Sequence, residues 1–356
     1  MAIPARPRQL LILTEGQTEP IAAKTAACVI RYGQDEVVAL LDSTQAGNTA
    51  RELLGVGGPI PVVARLEDAP TANTLVIGIA PAGGQIPPTW RPIVLAAIER
   101  GLDVISGMHD FLSDDPEFAV AARRRGVRLI DVRKNTERDV ANRVGIRADC
   151  LRILTVGQDC SVGKMVVSVE LARALVGRGH DAKFVATGQT GILIEGEGCP
   201  VDCVVSDFLN GAAEKLVLTN QHHDILLIEG QGSITHPRYS PVTLGLVHGA
   251  MPHGMFLCYE AGRTQVRGME QMLLTPLAKL RELYETMASV MQPSRVIGVG
   301  INSRRLSAAD AAAERDRVRG ELGLPACDVI RDGPDELVDA VLTMRASLAR
   351  TLHPKP

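Results

Sequence analysis

Residues 151–175 read LRILTV, GQDCSVGKM and VVSVELARAL, and this succession constrains the fold more than any other part of the chain. An apolar run, a glycine-bounded loop ending in lysine and a helical pattern are the parts of a phosphate-binding P-loop. They require a strand that feeds a helix at the edge of a parallel sheet. Glycines let successive backbone N–H groups converge, the helix N-terminus adds partial positive charge, and Lys164 adds a full one. Gly157, Asp159, Cys160, Ser161, Val162, Gly163, Lys164 and Met165 are therefore expected to hold a diphosphate. Five residues separate Gly157 from Gly163, one more than the common pattern, and Met165 stands where a hydroxyl residue usually meets Mg²⁺. A thioether does not replace a hard oxygen ligand, so the loop reads as fit to hold a diphosphate and poorly fit to hydrolyse one. Cys160 lies near a helix N-terminus and a lysine, so it is either a small packed residue or a covalent acyl carrier.

The rest of the chain agrees with an α/β protein. Apolar runs of strand length alternate with helical patterns across all 356 residues, a length that suggests two domains. In the first part, Cys28-Val29-Ile30, Val37–Leu41, Leu75–Ile79, Val104-Ile105 and Val127–Ile130 read as buried strands, with helices over 91–100 and 116–125. The second part starts near Leu151, with strands Ile153–Val156, Lys183–Ala186, Ile225–Ile228, Met255–Cys258, Val296–Val299 and Cys327–Ile330. Its expected helices are 164–178, about 265–291 and 335–350. We expect domains over 1–148 and 149–356.

Thirty-eight basic and 41 acidic residues give a net charge of -3, and aromatics make up 3%. Neither nucleic acid nor membrane is the expected main partner. No apolar run reaches the length of a signal-peptide core or a membrane span, and seven cysteines lack C-x-x-C spacing. A cytoplasmic chain with reduced thiols is expected. Residues 121–152 hold ten Lys/Arg against four acids, which reads as a solvated linker helix or as a positive surface drawing an anion to an interdomain cleft.

Two further glycine-rich segments follow strands, Thr187-Gly188-Gln189-Thr190-Gly191 and Glu229-Gly230-Gln231-Gly232-Ser233. They emerge at the sheet edge where ligands bind in open α/β folds. Glu229 ends an apolar strand, where P-loop proteins keep a metal-holding or water-positioning carboxylate. His236, Arg238 and Tyr239, then Glu260 and Arg263 after the next strand, add polar groups on loops at the same edge. Asn302 is placed to read an adenine edge, and Arg304 or Arg305 to reach a ribose phosphate.

These phrases carry a resemblance. GQDCSVGKM, ATGQTGILIEG, LLIEGQGSITHPRYSPVTLGLVHG and LCYEAGR, with RYGQDEVVALLDSTQAGNTA and IGIAPAGGQIP, resemble a bacterial family long known only as a domain of unknown function. The resemblance implies an N-terminal Rossmann-like parallel sheet and a C-terminal P-loop NTPase-like parallel sheet. The loop spacing and the Glu229-Gly230 strand end are also similar to dethiobiotin synthetase. Some members of the family are D-glutamate N-acetyltransferases of the DgcN type, which use acetyl-CoA. That implies an acyltransferase whose loop grips the diphosphate of acetyl-CoA without an obligatory metal.

On that reading the amine of D-glutamate attacks the acetyl thioester after losing a proton. His236 is the favoured base, Glu229 the second, and Lys164 or backbone N–H groups stabilise the oxyanion. Arg238 and Arg263 are expected to pair with the substrate carboxylates, beside Gln189, Thr190, Tyr239 and Glu260, while Asn302 joins the loop in binding the donor. The rival is a Mg-ATP-dependent ligase or kinase acting on a carboxylate, and a third possibility is a nucleotide-binding regulatory module. The first domain lacks G-x-G-x-x-G, so NAD has little support there. Asp42 and Pro81-Ala82-Gly83-Gly84 leave a ligand site open, and the domain is expected to wall the cleft or make subunit contacts in a homo-oligomer.

Overall fold

The computed structural model describes residues 7–81 and 83–352. The chain forms two compact units. The first takes the described residues up to Asn135 together with Gly188–Cys203, and the second takes Thr136–Thr187 and the described residues from Val204 onward.

The first unit is a six-stranded parallel sheet. Its strands are β1 (Gln9–Leu13), β2 (Glu36–Leu41), β3 (Val62–Val63), β4 (Thr74–Ile77), β5 (Asp103–Ser106) and β6 (Leu129–Asp131), in the order β3-β2-β1-β4-β5-β6. That order reverses between β1 and β4, the arrangement of a Rossmann-like sheet. Its helices are α1 (Lys24–Tyr32), α2 (Ala50–Leu54), α3 (Arg91–Glu99) and α4 (Pro116–Arg125). Local chemistry explains α4: Asp115 caps the amides of Glu117 and Phe118, and Gly126 ends the helix in the left-handed region. Leu11, Leu13, Leu75, Ile77, Trp90, Val94 and Ile98 lie in the core between sheet and helices.

Cys28-Val29-Ile30, expected as a strand, lies inside α1. Thr25, Ala26, Val29 and Tyr32 bury one helical face there, a period that a three-residue apolar window cannot reveal. The basic stretch 121–152 is not a linker helix either. Beyond α4 it contributes β6 and then runs without helix to β7. Most of its cations are already matched: Arg128 with Asp103, Arg133 with Asp202, Arg143 with Glu214, Arg147 with Asp149 and Asp224. Pairing of this kind offsets part of the positive charge of this stretch.

The second unit has strands β7 (Leu151–Gly157), β8 (Ala182–Val185), β9 (Ile225–Ile228) and β10 (Gly254–Glu260). A two-stranded antiparallel hairpin follows, β11 (Gln265–Val266) and β12 (Met269–Leu273), then β13 (Arg295–Asn302) and β14 (Ala326–Cys327). The main sheet is parallel, in the order β14-β13-β10-β7-β9-β8. Every residue of β7, β9 and β10 is buried, as expected for largely apolar strands covered on both faces, Arg152, Thr155 and Glu260 being the buried polar exceptions. Its helices are α5 (Lys164–Gly177), α7 (Ser206–Asn220), α8 (Ser240–Ala250), α9 (Leu277–Ser289), α10 (Ala308–Leu322) and α11 (Asp335–Leu352). The short α6 (Gln189–Glu195) falls in the excursion that joins the first unit.

Residues 136–148 pack with this second unit. The buried Glu214 on α7 accepts the amides of Asn142 and Arg143, at 2.9 and 3.1 Å, and so fixes the segment there. The expected helix over 265–291 is instead the hairpin followed by α9, because Gly268 turns at φ 71° and Pro276 precedes the first helical residue. Residues 244–249 belong to α8.

Candidate functional site

The P-loop follows β7, next to the point where strand order reverses between β7 and β10, the place where open α/β sheets bind ligands. Two residues of the loop take positive φ, Ser161 at 56° and Gly163 at 107°, which turns consecutive amides toward one side ahead of α5. A serine there is uncommon, a strained conformation of the kind that clusters at ligand-binding loops. Lys164, the first residue of α5, is buried and reaches back across the loop. Its ammonium donates to the carbonyls of Asp159 and Gly232, each at 2.8 Å, which leaves one of three N–H donors for an anion. Burial pushes its pKa down from the ordinary lysine value. The crossing requires Gly157, since a methyl group there would lie 2.9 Å from Lys164 Nζ.

Asp159 is fully buried and organises the loop from within. Its Oδ2 accepts Arg263 Nη1 at 2.8 Å and the amide of Arg267 at 2.9 Å, and its Oδ1 accepts the amide of Cys160 at 2.7 Å. His236 Nε2 stands 3.5 Å from Asp159 Oδ1. Glu260, at the end of β10, receives Arg263 and Arg304, and Arg305 comes within 3.4 Å. Burial alone pushes the Glu260 carboxyl up, but the hydrogen bonds and charges of Arg263 and Arg304 outweigh it and hold it below its ordinary value. The guanidinium groups of Arg238 and Arg267 form no ion pair among the described residues, although the Arg267 amide is held by Asp159 and its charge feels Glu260 and Asp159, so they are the cations best placed to meet a ligand.

The expected site residues divide into groups. The loop residues, His236, Glu229, Glu260, Arg263 and Asn302 do come together. Asn302 Cβ is the nearest atom, at 4.0 Å, to a methyl group built on Gly163. Tyr239 follows, its ring centroid 4.7 Å from that of His236. Gln189 and Thr190 belong to the first unit, where Thr190 Oγ1 meets Thr25 Oγ1 at 3.0 Å.

Two expected roles meet physical obstacles. Arg263 is already occupied by two buried carboxylates and has little left for a substrate. His236 Nδ1 accepts the Arg238 amide at 3.1 Å, so on the neutral ring the proton sits on Nε2, facing Asp159. Burial holds the ring below its ordinary 6.5 despite Asp159, with Arg238 and Lys164 adding to the effect. Neither nitrogen then presents a lone pair to an incoming amine. The same tautomer opposes metal coordination through Nε2, although Asp159, Cys160 and His236 bring ligand atoms within 4.8 Å of one another. Glu229 accepts the Thr187 amide at 2.9 Å, and Thr187 Oγ1 donates back to the Glu229 carbonyl at 2.7 Å.

Two contributors escape sequence reasoning. Tyr284 on α9 is fully buried, donates to Gly157 O at 2.8 Å and accepts the Ile234 amide at 3.0 Å, tying the loop to the segment before His236. Arg267 sits at the hairpin turn, and its one sequence signal is the glycine that follows it.

Fold and site together define a two-unit α/β protein with a P-loop in its second unit. The chain belongs to the DUF1611 family. Residues 134–338 match the family model described as "Domain of unknown function (DUF1611_C) P-loop domain", and residues 43–135 match its Rossmann-like N-terminal counterpart. A crystal structure of a DUF1611 family protein from Anabaena variabilis superposes with a TM-score of 0.90 at 37% identity, covering 94% of this chain and 99% of that one. A D-glutamate N-acetyltransferase of Tritonibacter scottomollicae is 40% identical over 280 residues, 78% of this chain and 84% of the relative. One from a Pseudoalteromonas species is 37% identical over 268 residues, 75% and 80% respectively.

Proposed function

We propose that this protein is a D-glutamate N-acetyltransferase that takes its acetyl group from acetyl-CoA and grips the donor's diphosphate in the loop 157–165. The observation that carries this reading is an anion nest crossed by the buried Lys164, with Met165 at the position that would serve magnesium. A diphosphate that must be held and left whole needs the first feature and not the second. The name borne by the two relatives supplies the acceptor.

Chemistry then places the groups. The free amine attacks the thioester carbonyl, the C–N bond forms, and the C–S bond to coenzyme A breaks. About fourteen bonds separate the nearer phosphorus from that carbonyl carbon, and at ~1.2 Å per bond an extended arm spans roughly 17 Å. Groups that grip the diphosphate are therefore not those that touch the acetyl carbon. Lys164 directs its remaining N–H at a phosphate oxygen, and Arg238 and Arg267 are given to the donor's phosphates. His236 and Glu229 order the loop and its neighbour rather than act as bases.

Purified protein incubated with acetyl-CoA and D-glutamate, without added metal, tests the reading through release of free thiol and the mass of the product. N-acetyl-D-glutamate, with little from L-glutamate, is the expected result. Consumption of Mg-ATP with a carboxylate, and no thiol release, would replace the transferase with a ligase.

A further inference from the structure

The turn that follows β13 carries two more cations, Arg304 and Arg305, and the grip on the diphosphate leaves both unused. Strand register within the second unit brings this turn to the phosphate loop. Gly157, which opens the loop, pairs with Cys258, and Glu260, two residues further along β10, pairs with Asn302. Asn302 Cβ also comes within 4.0 Å of a methyl group built on Gly163. Ser303 then fixes the turn: its amide and its Oγ donate to Asp328 Oδ2 at 2.9 and 2.6 Å, and its carbonyl accepts the Leu306 amide at 2.9 Å. Arg331 Nη2 donates to the carbonyls of Ser303 and Leu306, at 3.2 and 3.0 Å. The backbone that carries both arginines is thus held by the protein itself.

Charge at this edge is unbalanced. Arg304 reaches Glu260 Oε1 from Nη2 at 2.9 Å and from Nε at 3.2 Å, and Arg305 Nε lies 3.4 Å from the same oxygen. Arg263 occupies Oε2 and is shared with Asp159. Arg267 adds a fourth guanidinium, and burial together with the charges of Arg263 and Arg304 pulls its pKa below the ordinary arginine value. Four guanidinium groups in this cluster stand against two carboxylates. Like charges gathered in this way raise the local potential and draw an anion. The side chain of Arg305 is 59% exposed, against 35% for Arg304 and 12% for Arg263, so the surplus opens to solvent at Arg305.

We infer that Arg304 and Arg305 form a phosphate-monoester site that takes the 3′-phosphate of the donor and so selects coenzyme A over nucleotides with a 5′-diphosphate alone. The inference rests on the acetyl-CoA reading. A phosphate monoester carries about −1.5 to −2 charge at neutral pH, which matches the surplus. Six bonds separate the 3′ phosphorus from the nearer phosphorus of the diphosphate, about 7 Å at ~1.2 Å per bond. The two residues from Asn302 to Arg304 also span at most about 7 Å, so the turn lies at the right remove from a diphosphate held beside Gly163. Arg305 is the principal contact, its planar guanidinium meeting two phosphate oxygens, while Arg304 stays on Glu260 and lends charge.

Calorimetry on the full chain with coenzyme A and with 3′-dephospho-coenzyme A tests the site. Wild type should bind coenzyme A about ten- to hundredfold more tightly, the worth of one charge-assisted hydrogen bond. Arg305→Ala should bring that ratio toward one, and Arg305→Lys should keep part of it. Arg263 and Arg304 remain on Glu260 in both variants, and an unchanged Tm shows that the fold is kept. Equal affinities in the wild type, or a ratio that survives both Arg305→Ala and Arg304→Ala, overturns the site. Acetyl transfer with equal kcat/KM for acetyl-CoA and its 3′-dephospho form overturns the site and leaves the transferase standing. A preference for coenzyme A that Arg305→Ala abolishes, without acetyl transfer to D-glutamate, keeps the site and overturns the transferase. Binding of neither compound overturns both.

Discussion

Arg263 Nη1 donates to the fully buried Asp159 Oδ2 at 2.8 Å, locking the phosphate loop to the end of β10, where the same guanidinium also binds Glu260. One guanidinium thus bridges two buried carboxylates, the second of which is shared with Arg304 and Arg305. This is structural chemistry first, and it leaves Arg263 little to offer an acceptor.

Replacing Arg263 by alanine removes the one cationic side chain paired with Asp159 at hydrogen-bond distance and leaves Glu260 to Arg304 and Arg305, a loss of roughly 3–5 kcal/mol for a broken buried pair, and thermal unfolding should shift down accordingly. The difference should depend on pH. Glu260 is held below its ordinary 4.5, so the stability it contributes is fully present above 4.5 and is lost as pH falls through its lowered native value. The gap in Tm between wild type and Arg263→Ala should therefore narrow on acidification below 4.5. A gap that stays constant would show that the ion pair is not its source.

Gly157→Ala puts a methyl group 2.9 Å from Lys164 Nζ and should displace the ammonium from its position across the loop. The KM for acetyl-CoA should rise ten- to hundredfold, the loss of one charge-assisted hydrogen bond of about 1.5–3 kcal/mol. Unchanged steady-state kinetics would mean that Lys164 does not meet the donor.

Met165→Thr restores the hydroxyl that other P-loops present to magnesium. Calorimetry with ADP should show binding that ignores Mg²⁺ in the wild type and becomes Mg-dependent in the variant, with no gain in acetyl transfer. Mg-dependent binding by the wild type would contradict the role given to Met165.

Much of the architecture was legible because long apolar runs such as Ile225–Ile228 and punctuation such as Asp115 and Gly126 act locally. The loop 157–165 was legible for the same reason, since its chemistry is contiguous. What escaped was decided at a distance. Val29 belongs to a helix because of what its face packs against, and Arg267 was hidden in a helical pattern that Gly268 and Pro276 break. The occupation of Arg263 depends on Asp159, 104 positions away in sequence. His236 has the residue type of a base, but only the Arg238 amide at its Nδ1 shows that the lone pair is spent.

The most direct test of the P-loop's role compares acetyl-CoA with S-acetylpantetheine, which keeps the thioester and lacks the diphosphate. Wild type should prefer acetyl-CoA strongly in kcat/KM. Lys164→Ala should cut that preference ten- to hundredfold, one charge-assisted hydrogen bond, while leaving kcat/KM for S-acetylpantetheine unchanged. An equal loss with both donors would place Lys164 at the acetyl carbon and contradict the account.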